Sequence, residues 1–171
     1  MFILRYTRMM IKVLILTVYL AGTLLFASEI KTAAPLSYDA SVSLLKSIDN
    51  EAILLGSGKK QLYVFLDPLC LHSRKFISMV SKNPKMLSKY RYHLFLYSIA
   101  RLKSEEVVAA IYASKNPLPR LLEIMTTDKI YREKANSMTQ SKVDAIALVG
   151  QKMEVRKRPY IFVVRTEEKG E

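Results

Sequence analysis

Apolar and polar positions along the chain predict alternating helices and strands. Ser37 to Asn50 reads as a helix, with Val42, Leu44, Leu45 and Ile48 forming an apolar stripe. Ala52 to Leu55 reads as a short strand, and Gly56-Ser57-Gly58 as a turn. Gln61 to Leu66 is the strongest strand signal. Leu62, Val64 and Leu66 alternate with Tyr63 and Phe65, so both faces are apolar, as in a central strand. Asp67-Pro68 ends it, and the spacing of Phe76, Ile77 and Val80 predicts a helix over Cys70 to Ser81. Asn83-Pro84 breaks that helix.

Tyr92 to Tyr97, "YHLFLY", predicts another apolar strand. Ser104 to Met138 reads as helical, with Ser104 as N-cap for Glu105 to Ser114 and a second short helix over Pro117 to Thr126. Thr139 to Lys152 predicts a further helix with Val143, Ile146, Ala147 and Val149 inward, and Pro159 to Val164, "PYIFVV", a last strand. The order implies an α/β fold opened by a parallel βαβ unit and interrupted by a helical block.

The length of 171 residues suits one domain, and no internal repeat is visible. The first 27 residues stand apart. Arg5, Arg8 and Lys12 precede an uncharged, mostly apolar run of 14 residues, Val13 to Phe26, followed by Ala27-Ser28. That is the layout of a secretory signal, and the run is short for a membrane span. Leu25 is larger than the residue usual at its place before a cleavage point, so an uncleaved N-terminal anchor is the alternative. Residues 28–57 are expected to be a linker and helix, 58–165 the main domain with an insertion at about 101–138, and 166–171 a charged tail.

The leader holds three of the 27 basic residues, which leaves the rest with a surplus of nine positive charges over its 15 acidic residues. Such a surplus is first of all a solvated basic surface; it also suits anionic lipid, acidic proteins or nucleic acid, of which export makes nucleic acid the least expected partner. Two histidines and one cysteine, spread along the chain, make no metal site, and no Gly-rich phosphate loop or Ser-His-Asp constellation appears. No cofactor is expected.

Export sharpens the question of the single cysteine. Cys70 cannot form an internal disulfide, so in an oxidising compartment it is either a small buried hydrophobe or a thiol open to intermolecular exchange. It follows a strand and opens a helix, where backbone N–H groups and the macrodipole favour a thiolate. Arg74 and Lys75 lie one turn on, and His72 acts in the same direction if protonated. A reactive, partly exposed thiol is therefore expected. Ser73 stands where a dithiol enzyme carries its second cysteine. It cannot resolve a mixed disulfide, although its hydroxyl can donate to the Cys70 thiolate. His93 is expected to be a strand residue without a catalytic role.

The segment "FLDPLCLHS" resembles the active-site segment of the periplasmic DsbC/DsbG thiol-disulfide proteins of the thioredoxin-fold superfamily. Phe65, Asp67, Pro68 and Cys70 match their pattern, and Ser73 departs from it, making Cys-x-x-Ser of Cys-x-x-Cys. "LVGQKMEVRKRPYIFV", Leu148 to Val163, is similar to their helix end, loop and proline-opened strand, and the resemblance spans roughly Gly58 to Val164. It implies a thioredoxin-like fold with a helical insertion after the second core strand. It also implies a cis bond at Pro159, with Arg158 facing Cys70 beside a groove for an extended substrate. Only about 30 residues separate the leader from Gly58, too few for the family's dimerisation domain, so a monomer is expected.

Two functions follow. One is a monothiol thiol-disulfide exchange protein of the periplasm, acting through Cys70 on exported cysteine-containing proteins and reset by an outside thiol or a membrane redox partner. The other is an inactive thioredoxin-like peptide-binding module, a chaperone or envelope-complex component.

Overall fold

A computed structural model describes residues 36–165. The leader, residues 28–35 of the linker and the charged tail lie outside them. The elements are α1 (Tyr38–Ser47), a 3-10 turn (Asp49–Glu51), β1 (Ile53–Leu55), β2 (Lys60–Leu66), α2 (Leu71–Ser81) and α3 (Pro84–Lys89). They continue with β3 (Tyr90–Leu96), a 3-10 turn (Ala100–Leu102), α4 (Glu105–Tyr112), α5 (Pro117–Thr126), α6 (Ser137–Lys152) and β4 (Tyr160–Val163).

The sheet order is β1-β3-β2-β4. β2 runs parallel to β3, with Leu62 opposite Tyr92 and Leu66 opposite Leu96. β1 joins β3 antiparallel, and β4 joins β2 antiparallel with Phe65 opposite Tyr160. The parallel pair is connected through α2 and α3, which is the expected βαβ unit.

The alternation in β2 explains the layering. Leu62, Val64 and Leu66 lie on one face with Tyr92, Leu94 and Leu96 of β3, packed by Ile77 and Val80 of α2, Val107, Val108 and Ile111 of α4, and Leu121, Ile124 and Met125 of α5. Tyr63 and Phe65 lie on the other face with Phe95, packed by Leu45 of α1 and by Ile146 and Val149 of α6. Burying a side chain of this size is worth about 1.5–3 kcal/mol, so the double-sided burial of β2 and β3 accounts for much of the core.

Of three expectations, two hold with an addition and one is corrected. Asn83-Pro84 starts a helix as well as ending one: the Asn83 side chain accepts from Met86 N at 3.2 Å, and Pro84 takes the first helical position, where its missing N–H costs nothing. The helical block stops at Thr126, and residues 127–136 carry no helix. Thr127 is extended there (φ −130°, ψ −177°), and its hydroxyl donates back to the Glu123 carbonyl at 2.7 Å. Ser104 does stand at the N-cap of α4, but its side chain makes no cap there and bonds elsewhere.

Gly58 is fixed by close approach: a Cβ there would lie 2.0 Å from the Lys89 carbonyl carbon. Gly56, at φ +81, supplies the left-handed backbone of the same turn.

Candidate active site around Cys70

The C-terminal ends of β2 and β3 and the start of β4 lie at the same end of the sheet, by the parallel and antiparallel pairings. Cys70 occupies the N-cap position of α2, one turn beyond β2. Its N–H donates to the Asp67 carbonyl at 3.1 Å, and its own carbonyl accepts from Arg74 N at 2.9 Å. The thiol is buried, with 7% of the residue exposed, and Sγ donates to the carbonyl of Arg158 at 3.6 Å. The expected partial exposure is thus corrected: the loop before β4 covers the sulfur.

Asp67 organises the turn that carries Cys70. Its carboxylate is fully buried. Oδ1 accepts from Leu69 N at 2.8 Å, and Oδ2 accepts from Ile99 N at 2.5 Å and from the Ser104 hydroxyl at 2.6 Å. One side chain therefore ties the end of β2 to the loop after β3 and to the start of α4. In the sequence Asp67 is legible only as a strand stop and a motif match. An Asp directly before a turn was the available signal, but its partner 37 residues on carried none.

Ser73 is fully buried, and its hydroxyl accepts from Asp67 N at 3.3 Å. It braces the loop from behind, and no hydrogen bond joins it to the thiol, so the expected Ser73–Cys70 bond is not formed. His72 is exposed on the first turn of α2, and among the described residues no hydrogen bond connects it to Cys70. The Arg74 guanidinium donates to the Thr127 carbonyl and lies 4.0 Å from Asp128 Oδ1, so its charge is directed at the end of α5.

Arg158 and Pro159 do come to Cys70. The bond between them is cis. Arg158 faces the thiol with its carbonyl and not with its cation, contrary to expectation. Its Nε donates to Tyr97 O at 3.1 Å and Nη2 to Ser98 O at 3.2 Å, and the guanidinium stacks 3.9 Å above the Tyr97 ring. Two carbonyls at the end of β3 hold the cation by charge-assisted bonds.

His93 lies within β3, where sequence reasoning put it. Its Nδ1 is 2.5 Å from Asp49 Oδ1, its Nε2 is 2.6 Å from Gln61 Oε1, and its ring stacks on Tyr63 at 4.6 Å. Burial pushes the Tyr63 phenol up, and the nearby Asp49 carboxylate adds to this. Among the described residues no group of three or more His, Cys, Asp and Glu side chains is gathered as a metal site requires.

The fold and site define a thioredoxin-like α/β protein with a single thiol at the start of the first βαβ helix. Solved structures share that fold. The catalytic domain of Proteus mirabilis ScsC superposes with a TM-score of 0.62 at 11% identity, covering 74% of this chain and 86% of its own. A periplasmic thioredoxin-like protein from Salmonella enterica serovar Typhimurium gives 0.61 at 11% identity, covering 75% and 86%. Helicobacter pylori DsbG gives 0.53 at 19% identity, covering 72% and 62%. No family model matches the chain, and no curated protein matches it in sequence.

Proposed function

We propose that the protein is an exported one-thiol exchange protein of the periplasm, acting on cysteine-containing clients through mixed disulfides at Cys70. The observation that supports this most is the meeting of Cys70 at the N-cap of α2 with the Arg158 carbonyl and Pro159, in a thioredoxin-like fold. Of the structural neighbours, the Salmonella protein is named as periplasmic and a Wolbachia pipientis protein, alpha-DsbA2, as a thiol-disulfide exchange protein, and both names support the reading.

In the proposed step, Cys70 gives up its proton and its sulfur attacks one sulfur of a client disulfide. The client S–S bond breaks, a Cys70–client disulfide forms, and the other client sulfur leaves as a thiolate that takes up a proton. No net oxidation occurs. A second client thiol, by attacking the client sulfur of the mixed disulfide, returns Cys70 to the thiol and leaves a rearranged client. Reduction of the client would instead take two outside thiols, or both thiols of a membrane redox partner: the first attacks the Cys70 sulfur and releases the client as a thiol, and the second attacks the outside sulfur now held by Cys70, which restores the Cys70 thiol and leaves the two outside sulfurs as a disulfide. Ser73 takes no part in resolution, so its place in this scheme is to brace the loop. His72 would border the client at the exposed start of α2, and the protein would act as a monomer.

A second reading rests on the 7% exposure of Cys70. A shielded thiol with no partner cysteine also suits a peptide-binding module of the envelope, with Pro159 and Arg158 beside the bound segment.

Mixed-disulfide trapping separates the two. Cells producing the protein are quenched in acid, alkylated and run on a non-reducing gel beside Cys70→Ala. Exchange chemistry predicts adducts that vanish with reductant and in Cys70→Ala. A clean monomer band with Cys70 recovered as free thiol would exclude exchange, and peptide binding unchanged by Cys70→Ala would then establish the module.

A further inference from the structure

Behind Cys70, three residues that carry out no chemistry fit together closely. Tyr97 follows β3, and its ring presses on α6 where residue 150 is glycine: a Cβ there would stand 2.6 Å from Tyr97 Cε1 and 2.8 Å from Cδ1. The Arg158 guanidinium lies over that ring at 3.9 Å, with two of its nitrogens on the Tyr97 and Ser98 carbonyls. The ring also meets Phe65 of β2 edge-on at 6.1 Å. The Arg158 side chain is therefore docked on a surface built by β2, β3 and α6.

The loop that carries Arg158 has few other anchors. Its start is fixed where Val155 N donates to Gly150 O at 2.8 Å. Outside the β4 ladder, residues 156–159 contribute nothing to the backbone–backbone hydrogen bonds of the described residues. Among the described residues Arg156 reaches only Glu154, an exposed neighbour two residues back. Among the described residues, the Arg158 side chain supplies the side-chain hydrogen bonds by which residues 156–159 reach the rest of the sheet.

We infer that Arg158 is a positioning residue for Cys70: its guanidinium, clamped on Tyr97 and Ser98, holds its own carbonyl over the thiol and so sets how shielded the sulfur is. This deepens the reading of Cys70 as an exchange thiol and rests on it. The fork geometry is required, because a lysine ammonium cannot span two carbonyls and stack flat on a ring together. In exchange, a client must displace the loop from the sulfur, and the clamp governs how readily it yields.

The test uses the full chain with Arg158→Ala, Arg158→Lys and Tyr97→Phe. Two readouts are taken: the rate at which a small neutral alkylating agent modifies Cys70 in the folded protein, and the infrared S–H stretch, which has a single source because the chain has one cysteine. Arg158→Ala should alkylate about fivefold faster, the ratio that roughly 1 kcal/mol for one hydrogen bond converts to. Its S–H band should move to higher wavenumber. Arg158→Lys should resemble Arg158→Ala, and Tyr97→Phe, which keeps the ring and the carbonyl, should resemble the parent.

A folded Arg158→Ala with parental rate and band would overturn the inference, and so would full restoration of both by lysine. If Arg158→Ala does not fold, Tyr97→Leu removes the stacking surface instead, and the same two shifts are required of it. Neither readout needs a disulfide substrate. A protein that forms no mixed disulfides yet shows these shifts keeps the clamp and loses the exchange reading.

Discussion

Asp67 offers the most demanding check on how the site is built. Its buried carboxylate accepts from two backbone amides, Leu69 and Ile99, and from the Ser104 hydroxyl. Asp67→Ala removes the acceptor for all three. The hydroxyl can rotate to another partner, but the amides are fixed by the chain. Each buried donor left unmade costs about 1–3 kcal/mol, so the two amides together put the loss at about 2–6 kcal/mol. Release from burying a carboxylate without a cation offsets part of this. Asp67→Asn keeps one oxygen and turns the other into a donor that faces a donor, so its loss should be about half as large. Ser104→Ala strands no donor and removes one charge-assisted bond, which makes it the mildest at roughly 1.5 kcal/mol. Urea unfolding followed by far-UV circular dichroism gives the three differences from the midpoints and a common slope. Against a total stability of about 5–15 kcal/mol, the alanine variant should shift the midpoint plainly. An Asp67→Ala protein no less stable than Ser104→Ala would refute the reasoning, since the amides would then have found other acceptors. Leu69, the residue before Cys70, loses its side-chain acceptor, so the alanine variant should also alkylate faster at Cys70.

Two further predictions concern positions away from the thiol. Gly58→Ala should destabilise by about 3 kcal/mol or more, because the new Cβ meets Lys89 backbone, which cannot step aside as a side chain would; a midpoint within experimental error of the parent would show that the β1–β2 turn is free to move. Glu123 is held below the usual carboxylate range chiefly because Lys129 donates to it at 2.8 Å. Its contribution is complete above the ordinary glutamate range and is lost as pH falls through the lowered value. In Lys129→Ala, an NMR titration should show the Glu123 midpoint moving up, and an unmoved midpoint would rule the bond out in solution.

Much of this was legible in the residues. In "LYVFL" both faces are apolar, which is enough to place a strand inside a two-sided sheet. Cys70 just past that strand marked one loop of the site, and only the family resemblance brought Arg158-Pro159, just before the last strand, to meet it. The directions of the side chains were not legible. The burial of Cys70 comes from a carbonyl 88 residues away, and the Arg158 cation turns to carbonyls some 60 residues back, so neither has a local signal. Ser73 could be assigned a helix turn but not the amide it would choose. The short helix α3 was missed because the proline that follows one helix is also favoured at the first position of the next. Past Thr126, threonine hydroxyls competing for helix carbonyls and a run of exposed charges broke a pattern that propensity alone would have continued.

The separation of 88 residues between Cys70 and the carbonyl that covers it also orders events in time. A ribosome makes the thiol long before it makes its cover. β2, α2, α3 and β3 form a local unit, whereas β4 closes a much longer loop and is the slower of the two to join on chain-closure grounds. Pulse alkylation during refolding should therefore find Cys70 open after β2 and β3 have paired, and protection arising together with that pairing would contradict this order. A newborn chain thus begins with its one sulfur uncovered, and whatever meets that sulfur first can mark the protein before the cover is in place.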